Sequence, residues 1–339
     1  LREGASEADA KHLKKVALVG RAATVLGWAT SWIIPNPVSM FLLSTGVVGR
    51  WTMIAHHVTH RGYDKVPGVP DRFRSKNFAN GWLARLRDWP DLIDPEAWRH
   101  EHNTLHHYKL NEEFDPDQPE FNLVWLRNMK IPLFMKYIVV FFAMISWRWV
   151  YYPPNTMKEL YKAEMRRKKQ SVDLNRSDVR DVMPWSRPGR DTWLRCFLPY
   201  VFLHFVLLPL PFLLISPTAW AFALINRIGA EVISNIHTFI IIVPSHAGED
   251  LWIFDQPIEG RGDFYFRQIA GSANYKTGGF FNDYMHGWLN YQIEHHVFPD
   301  MSMMQYTKAQ PRVEEIARKH GIPYIQESVW ARLRRLARV

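Results

Sequence analysis

The chain has 339 residues, a formal net charge of +9, fifteen histidines and one cysteine, and 47% of its residues are hydrophobic. This balance of charged and apolar residues excludes an intrinsically disordered chain, and the length allows a large buried core. The single cysteine, Cys196, excludes a disulfide-stapled fold and any metal site built from several thiolates. The mean hydropathy of −0.23 resembles that of a soluble protein, but an average hides apolar residues that are segregated along the chain.

The first apolar segment, 16–34, follows a polar start that contains three lysines. It is long enough to cross a bilayer as a helix, and Arg21 is its only charged residue. A cleaved signal peptide begins in a similar way, but here a second apolar segment, 38–55, follows directly after a Pro-Asn-Pro turn. The pattern favours a helical hairpin of two membrane spans.

A second pair of apolar segments, 194–215 and 219–243, is joined by a short turn. Between the two pairs lies the apolar segment 131–150, which is interrupted by Lys136 and Arg148 and followed by a basic stretch. A span at this position would put the basic stretch outside, against the positive-inside rule. The segment is therefore predicted to be a helix that lies in the membrane interface.

Together these segments predict an all-α integral membrane protein with a single domain, 1–339. Two hairpins supply four spans, and residues 56–193 and 244–339 form a helical cap on the cytoplasmic side, which contains the Lys/Arg-rich segments. The cap is expected to hold any catalytic residues, and a di-metal site is expected there for the reasons that follow.

Nine of the fifteen histidines fall in three short clusters, all within the predicted cap or at its border. The clusters are His56, His57 and His60; His100, His102, His106 and His107; and His295 and His296. Residues three or four apart share a face of a helix, so each cluster is expected to aim two or three imidazoles at one point. Imidazole is a common neutral metal ligand, and a nitrogen-rich set suits iron, zinc or copper.

Two other metal chemistries compete with this interpretation. His100 and Glu101 begin like the helix motif of zinc proteases, but the required second histidine is replaced by Thr104. His204 and His237 lie inside the last two predicted spans and are candidate axial ligands of a haem in a membrane electron-transfer protein. Neither alternative uses the three clusters.

The three clusters read HHVTH (56–60), HEHNTLHH (100–107) and NYQIEHHVFP (290–299). They resemble the three histidine boxes of the membrane fatty-acid desaturase superfamily. Trp98 before the second box, the Asp-Pro-Asp sequence at 115–117 and HGIPY at 320–324 extend the resemblance over roughly residues 16 to 325. Gln292, where a histidine often opens the third box, is similar to the branch that contains front-end and acyl-lipid desaturases.

The resemblance implies a non-haem di-iron centre. The ligands it implies are His56, His60, His102, His106, His107, His246, His295 and His296. His246 is included because the superfamily usually has one more histidine at the cytoplasmic end of the fourth span, and His237 is the reserve candidate. Further residues are expected to touch a metal or to orient a ligand: Gln292, His57, His100, His286, Asp115, Asp117 and Glu294.

The activity implied by the resemblance is O2-dependent removal of two hydrogens from a fatty acyl chain, which yields a double bond. The substrate would be an acyl-lipid, acyl-CoA or acyl-carrier species held at the bilayer, and no nucleic-acid partner is expected. A hydroxylase on the same scaffold is the alternative, and a catalytically silent metal-binding scaffold is a third possibility. The chain has no HPGG-type segment of a fused cytochrome b5, so a separate electron donor such as a ferredoxin or cytochrome b5 is expected.

Overall fold

The structure is a computed structural model that describes residues 4–170 and 182–338. Almost all regular structure is helical, and the helices in chain order are α1 (Glu7–Ser31), α2 (Pro37–Thr59), α3 (Trp82–Asp88), α4 (95–109), α5 (Pro119–Asn122), α6 (Val124–Asn128), α7 (Leu133–Val150), α8 (Tyr152–Arg167), α9 (Arg187–Leu214), α10 (Pro217–His246), α11 (Arg261–Ala270), α12 (Phe280–Met285), α13 (Gln292–Val297), α14 (Met303–Lys319) and α15 (Val329–Leu336). Single 3₁₀ turns occur at Asp71–Phe73 and Leu289–Tyr291.

Two strands of two residues each, β1 (Asn274–Tyr275) and β2 (Gln326–Glu327), pair in parallel. This pair ties the segment that follows α14 to the chain between α11 and α12. The predicted all-α fold class is therefore confirmed, because this ladder is the only sheet within the described residues.

Both predicted hairpins form, and each second helix begins at a side-chain cap. Asn36 Oδ1 accepts a hydrogen bond from the backbone N–H of Ser39 at 2.8 Å, and Pro37 opens α2. Ser216 Oγ accepts one from the N–H of Ala219 at 3.0 Å at the start of α10. A cap followed by proline satisfies an unpaired amide and presets the helical backbone, so both turns follow from local sequence.

Helix α10 is the centre of the helical assembly, packing against α1, α2, α7, α9 and α15. Its Asn226 ties the two hairpins together: Oδ1 accepts from the backbone N–H of Asn36 at 2.8 Å, and Nδ2 donates to the carbonyl of Ser31 at 2.7 Å. The turn of the first hairpin is thereby fixed to the early part of α10.

Four helices in the described part are long and apolar enough to cross a membrane, namely α2, α7, α9 and α10. The predicted count of four candidate spans is confirmed, and three of the four coincide with the predicted spans, whose placement stays a prediction. Helix α7 is the segment predicted to lie in the interface, and α1, which contains the predicted first span, does not qualify. Helix α1 begins at Glu7, and Lys14, Lys15 and Arg21 reduce its apolar character.

The C-terminal helix α15 is anchored at the end of α10. The side chain of Arg332 is fully buried and donates to the carbonyls of Pro244, at 3.0 Å, and Ala247, at 3.1 Å. Asp250 accepts two further hydrogen bonds from Arg332, both 2.7 Å long. These contacts satisfy carbonyls at a helix end and fix the backbone on both sides of His246.

Candidate metal centre

A wide helical turn directly precedes the first histidine box, and another contains most of the second box. Residues Gly49–Ala55 of α2 and Glu101–His106 of α4 form π-helical turns, in which hydrogen bonds span five residues instead of four. Such turns are rare in proteins overall, but those that occur often lie at functional sites. The third box occupies the short helix α13, all of whose residues are buried.

All eight predicted ligands lie in two buried groups whose nitrogens are close enough to share a metal ion. Within each group, one nitrogen per histidine lies within 4.8 Å of the others. The first group consists of His56, His60, His102, His107 and His295; the second consists of His106, His246 and His296.

The expectation that each box aims at one point holds for His102 and His106, which form a further set with Asp117, but the second and third boxes each also contribute to both groups. His102 and His107 belong to the first group, whereas His106 belongs to the second. The π turn contributes to this arrangement, because its hydrogen bonds span five residues and His102 and His107, which are five residues apart, both reach the first group. His295 and His296 also divide between the groups, since adjacent residues of a helix point in different directions.

Two nitrogen pairs have the separation that metal ligands require. His56 Nε2 lies 3.0 Å from His102 Nε2, and His246 Nε2 lies 3.2 Å from His296 Nε2. Two nitrogens about 2.1 Å from one ion, at right angles to each other, lie about 3 Å apart. The Nε2 atoms of His60, His106, His107 and His295 are buried and have no hydrogen-bond partner in the part of the chain that the structure describes. Such orphaned nitrogens are costly unless an ion binds them, so the residues present fit a metal.

Five of the eight rings have the other nitrogen, Nδ1, engaged by a neighbouring oxygen. The contacts are His102 with Asp117 (3.3 Å), His106 with Asp115 (2.9 Å), His246 with the carbonyl of Ile242 (2.9 Å), His295 with Tyr306 (3.1 Å) and His296 with Gln268 (3.2 Å). A proton on Nδ1 donated to these oxygens leaves the lone pair of Nε2 directed into the group.

The site favours neutral imidazoles. Burial, followed by the neighbouring imidazoles, holds the pKa values of His60, His107, His295 and His296 well below their usual range. Burial also lowers the pKa of His102 to about 4. His106 differs: burial opposes its protonation, but the carboxylate of Asp115 outweighs burial and raises its pKa. Neutral rings are the form that binds metal.

A cavity of about 640 Å³ leads to both groups. Its walls are mainly apolar and come from α7, α8 and α10, with Trp147, Phe239 and Ile242 among them. At its inner end it reaches His102, His106 and His246. The volume is typical of a ligand cavity, and the walls suit an apolar chain.

The model of one protein family, fatty acid desaturase, matches residues 16–328. The chain belongs to the fatty acid desaturase family. The predicted membership is thereby confirmed over nearly the whole chain.

Three desaturases illustrate the similarity. The chain is 40% identical over 67 residues to fatty acid desaturase 2-like protein FADS2B of Mus musculus, and 35% identical over 99 residues to acyl-lipid (9-3)-desaturase of Physcomitrium patens. These matches cover 20% and 29% of this chain, and only 14% and 18% of those relatives. NADPH-dependent stearoyl-CoA 9-desaturase of Mycobacterium tuberculosis is 23% identical over 335 residues, which is 96% of this chain and 72% of the relative.

Four histidines that were expected near the site lie outside both groups. His57 is buried beside His295, but its Nδ1 bonds to the carbonyl of Met53 at 2.9 Å. His286 bonds to the carbonyl of Asn282 at 2.8 Å. His100 is half-buried on α4, and the reserve candidate His237 bonds to the carbonyl of Met285 at 2.7 Å. His204 is the other histidine of the haem alternative. Its Nε2 is also hydrogen-bonded to a backbone carbonyl, in this case that of Pro90.

Gln292 lies beside the second group, whereas Glu294 points away from it. Gln292 Nε2 is 3.1 Å from His246 Nε2, and its buried Oε1 has no partner among the described residues. Because an amide can be turned over, the oxygen can take the position beside His246. Glu294 accepts hydrogen bonds from Asn274 and Tyr324 at 2.9 and 2.8 Å, and burial raises its pKa to about 7.

The sequence analysis missed three residues that hold the ligands. Gln268 and Tyr306 contact His296 and His295, and Tyr151 donates to Asp117 at 2.8 Å. Tyr306 also donates to the carbonyl of Pro299, so its oxygen is free to accept the Nδ1 proton of His295. None of the three has a signal in its local sequence, since Gln268 and Tyr306 lie on helices outside the boxes and Tyr151 lies between α7 and α8.

Proposed function

We propose that the chain is an O2-dependent oxidoreductase that introduces a double bond into a fatty acyl chain, using two iron ions held by the eight histidines. The supporting observation is an apolar cavity that ends at two groups of buried, neutral imidazoles. Family membership supports the same reaction class.

Iron is proposed because it suits both the imidazole nitrogens and the O2-dependent reaction. Imidazole nitrogens suit iron, copper and zinc, but zinc has no redox chemistry. When bound, the two irons would supply the O2 activation that attack on an unactivated C–H bond requires. His56, His60, His102, His107 and His295 would hold one ion, and His106, His246 and His296, with Gln292, the other.

The protein's own contribution is positioning and exclusion of water. Trp147, Phe239 and Ile242 would hold the acyl chain so that one pair of carbons lies against the two groups. Asp115 and Asp117 would keep the Nδ1 protons of His106 and His102 in place. The same walls leave little space for bulk water beside the reacting carbons.

We also propose the cellular arrangement. The site faces the cytoplasm, the substrate is an acyl-lipid, acyl-CoA or acyl-carrier species, and a separate donor such as a ferredoxin or cytochrome b5 delivers two electrons. The exposed apolar side chains of α7, α9 and α10, such as Phe141, Phe202 and Ile228, support contact with lipid.

The test is product analysis. The protein is expressed with a reductase system, cellular fatty acids are compared by mass spectrometry, and iron is measured in the purified protein. New unsaturated acyl chains are expected with wild type and none with His296→Ala, which removes a ligand.

A matched control is His204→Ala, which alters a buried histidine outside both groups and should leave iron content near normal. Hydroxylated acyl chains in place of unsaturated ones would instead support the hydroxylase. A Soret absorption band that disappears in His204→Ala would support the haem protein, and normal iron with unchanged lipids would support the silent scaffold.

A further inference from the structure

A second cavity lies between α1, α2 and the segment around α3. Its volume is about 160 Å³, and its lining includes Arg21, Arg50 and Arg87 together with Asp88. It shares no lining residue with the cavity that reaches the histidines. We infer that this cavity binds the phosphate group of an anionic membrane phospholipid.

The charge around the cavity is positive and incompletely balanced. Asp88 is engaged by Arg87 through two hydrogen bonds of 2.8 Å. Arg21 has no ion pair or hydrogen bond from its side chain within residues 4–170 and 182–338. Arg72 stands nearby, and partial burial, followed by the charge of Arg21, lowers the pKa of its guanidinium. An anion is the ligand that such a set attracts.

Arg50 carries a half-buried charge with no carboxylate partner in the described part of the chain. Its one hydrogen bond there goes to Thr24 Oγ1 at 3.2 Å. The nearby buried carboxylate Asp91 is held by Arg148 through both oxygens, at 2.8 and 2.9 Å. A charge withdrawn from water and left unpaired is costly, and a phosphate in the cavity would compensate it.

A buried hydroxyl lies next to the cavity. Tyr284 is 5% exposed, and its Oη has no hydrogen-bond partner within residues 4–170 and 182–338. It lies against two glycines that line the cavity, since a Cβ added to Gly49 would come within 2.8 Å of it and one added to Gly20 within 3.3 Å. The glycines leave room for the hydroxyl, which is an unused donor beside the cavity and of the kind that a phosphate oxygen accepts from.

The surroundings favour a lipid as the source of the phosphate. Trp82, Leu83 and Leu86 are 72%, 64% and 48% exposed. They lie on the same short helix, α3, as Arg87. Leu18, one turn before Arg21 on α1, is 66% exposed. Apolar side chains beside arginines at the end of a membrane hairpin suit acyl chains next to a headgroup.

The experiment compares phosphate sources on the purified 339-residue chain in detergent. Melting temperature and native mass spectrometry are recorded with phosphatidic acid, with phosphatidylcholine and with inorganic phosphate at equal phosphate concentration. Retention of phosphatidic acid and a rise in melting temperature are expected, with a weaker effect of phosphatidylcholine. Stabilisation by inorganic phosphate that equals that of phosphatidic acid would contradict the lipid source.

Three variants test whether the cavity is the binding site of phosphatidic acid. Arg50→Gln and Tyr284→Phe should each weaken retention of phosphatidic acid, roughly tenfold for the charge-assisted contact of Arg50 and less for the hydroxyl. Arg318→Gln, which changes an exposed arginine of α14, is the matched control and should retain the lipid as wild type does. Equal retention by all three variants would overturn the inference, even if their iron content and activity changed.

Discussion

Five of the eight predicted ligand histidines are each oriented by a specific oxygen, and the oxygens differ in charge. His102 and His106 face the carboxylates Asp117 and Asp115, whereas His246, His295 and His296 face neutral oxygens. A carboxylate strengthens the imidazole as a metal ligand more than a neutral oxygen does. Ligand strength is therefore unequal across the two groups.

Two neighbouring histidines of the first box give a matched pair for testing the ligand set. His60→Ala is expected to lower bound iron and abolish desaturation, because its unpartnered Nε2 lies in the first group. His57→Ala should keep most of the iron, because His57 lies outside both groups. Iron per chain, measured by mass spectrometry of the purified protein, distinguishes them. Equal iron loss in both variants would refute the grouping.

The carboxylate beside His106 provides a second prediction. Asp115→Asn should weaken iron binding by about 10- to 100-fold, because the carboxylate no longer holds the Nδ1 proton and polarises the ring. Iron retention during titration with a chelator measures the effect. Asp71→Asn, at an exposed turn, is the control, and unchanged retention in Asp115→Asn would show that His106 does not depend on this contact.

At the scale of helices, α7 is held against α10 by a buried polar cluster. Arg148 is fully buried and binds Asp91 at 2.8 Å and Glu231 at 3.2 Å. Trp147 Nε1, one residue earlier, donates to Thr238 at 3.0 Å. The helix that supplies one wall of the large cavity is thus fixed at its C-terminal end, close to the histidines.

Breaking this cluster should destabilise the fold. Arg148→Met is expected to lower the free energy of unfolding by about 3–5 kcal/mol, because it leaves Asp91 and Glu231 buried without that cation. Denaturation in detergent measures the loss, and the double variant Arg148→Met/Asp91→Asn should recover part of it. Lys136→Met, on the exposed part of the same helix, should be nearly neutral.

The wall of the large cavity can be tested from the same helix. Ala143→Trp should abolish activity on long acyl chains while leaving iron content unchanged, because the indole would occupy the cavity without touching a ligand. Phe142 is the neighbouring residue, and its side chain is 60% exposed. Phe142→Trp is therefore the control and should remain active. Full activity of Ala143→Trp would show that the acyl chain lies elsewhere.

At the scale of the whole molecule, the cap is packed onto the start of α1. His12 lies edge-on to Trp288, with ring centroids 4.6 Å apart, and Lys15 stands over Phe280. Burial lowers the pKa of His12 to about 4, with Lys15 adding to this effect and Asp9 opposing it. The contact makes the docking of the cap sensitive to acid.

The sign of this pH dependence follows from linkage. Between the unfolded pKa of about 6.5 and the folded value, the unfolded chain binds a proton that the folded chain does not, so stability falls as the pH falls. His12 alone should cost about 2 kcal/mol between pH 7 and pH 5. Melting curves of wild type and His12→Phe at both pH values test this, with the exposed His320→Phe as control. An equal loss in wild type and His12→Phe would contradict the assignment.

Local sequence determined the features that depend on neighbours in the chain. Asn36 and Ser216 cap their helices next to prolines, so the two hairpin turns could be placed without tertiary information. The same holds for the boxes, whose resemblance to a known family pointed to eight histidines that the structure brings into two groups. Composition alone could not separate α7 from a span, since its length and apolar character fit either placement.

Only the tertiary structure decided how the ligands are divided and what holds them. His106 and His107 are adjacent in sequence yet belong to different groups, because a π turn and the packing of α10 and α13 determine which ring meets which partner. Gln268 and Tyr306 reach the boxes from other helices, so no local pattern could reveal them. Sequence spacing fixes which side chains share a helix face, whereas a metal site requires nitrogens from four chain segments to meet within a few ångströms, and long-range packing alone establishes that.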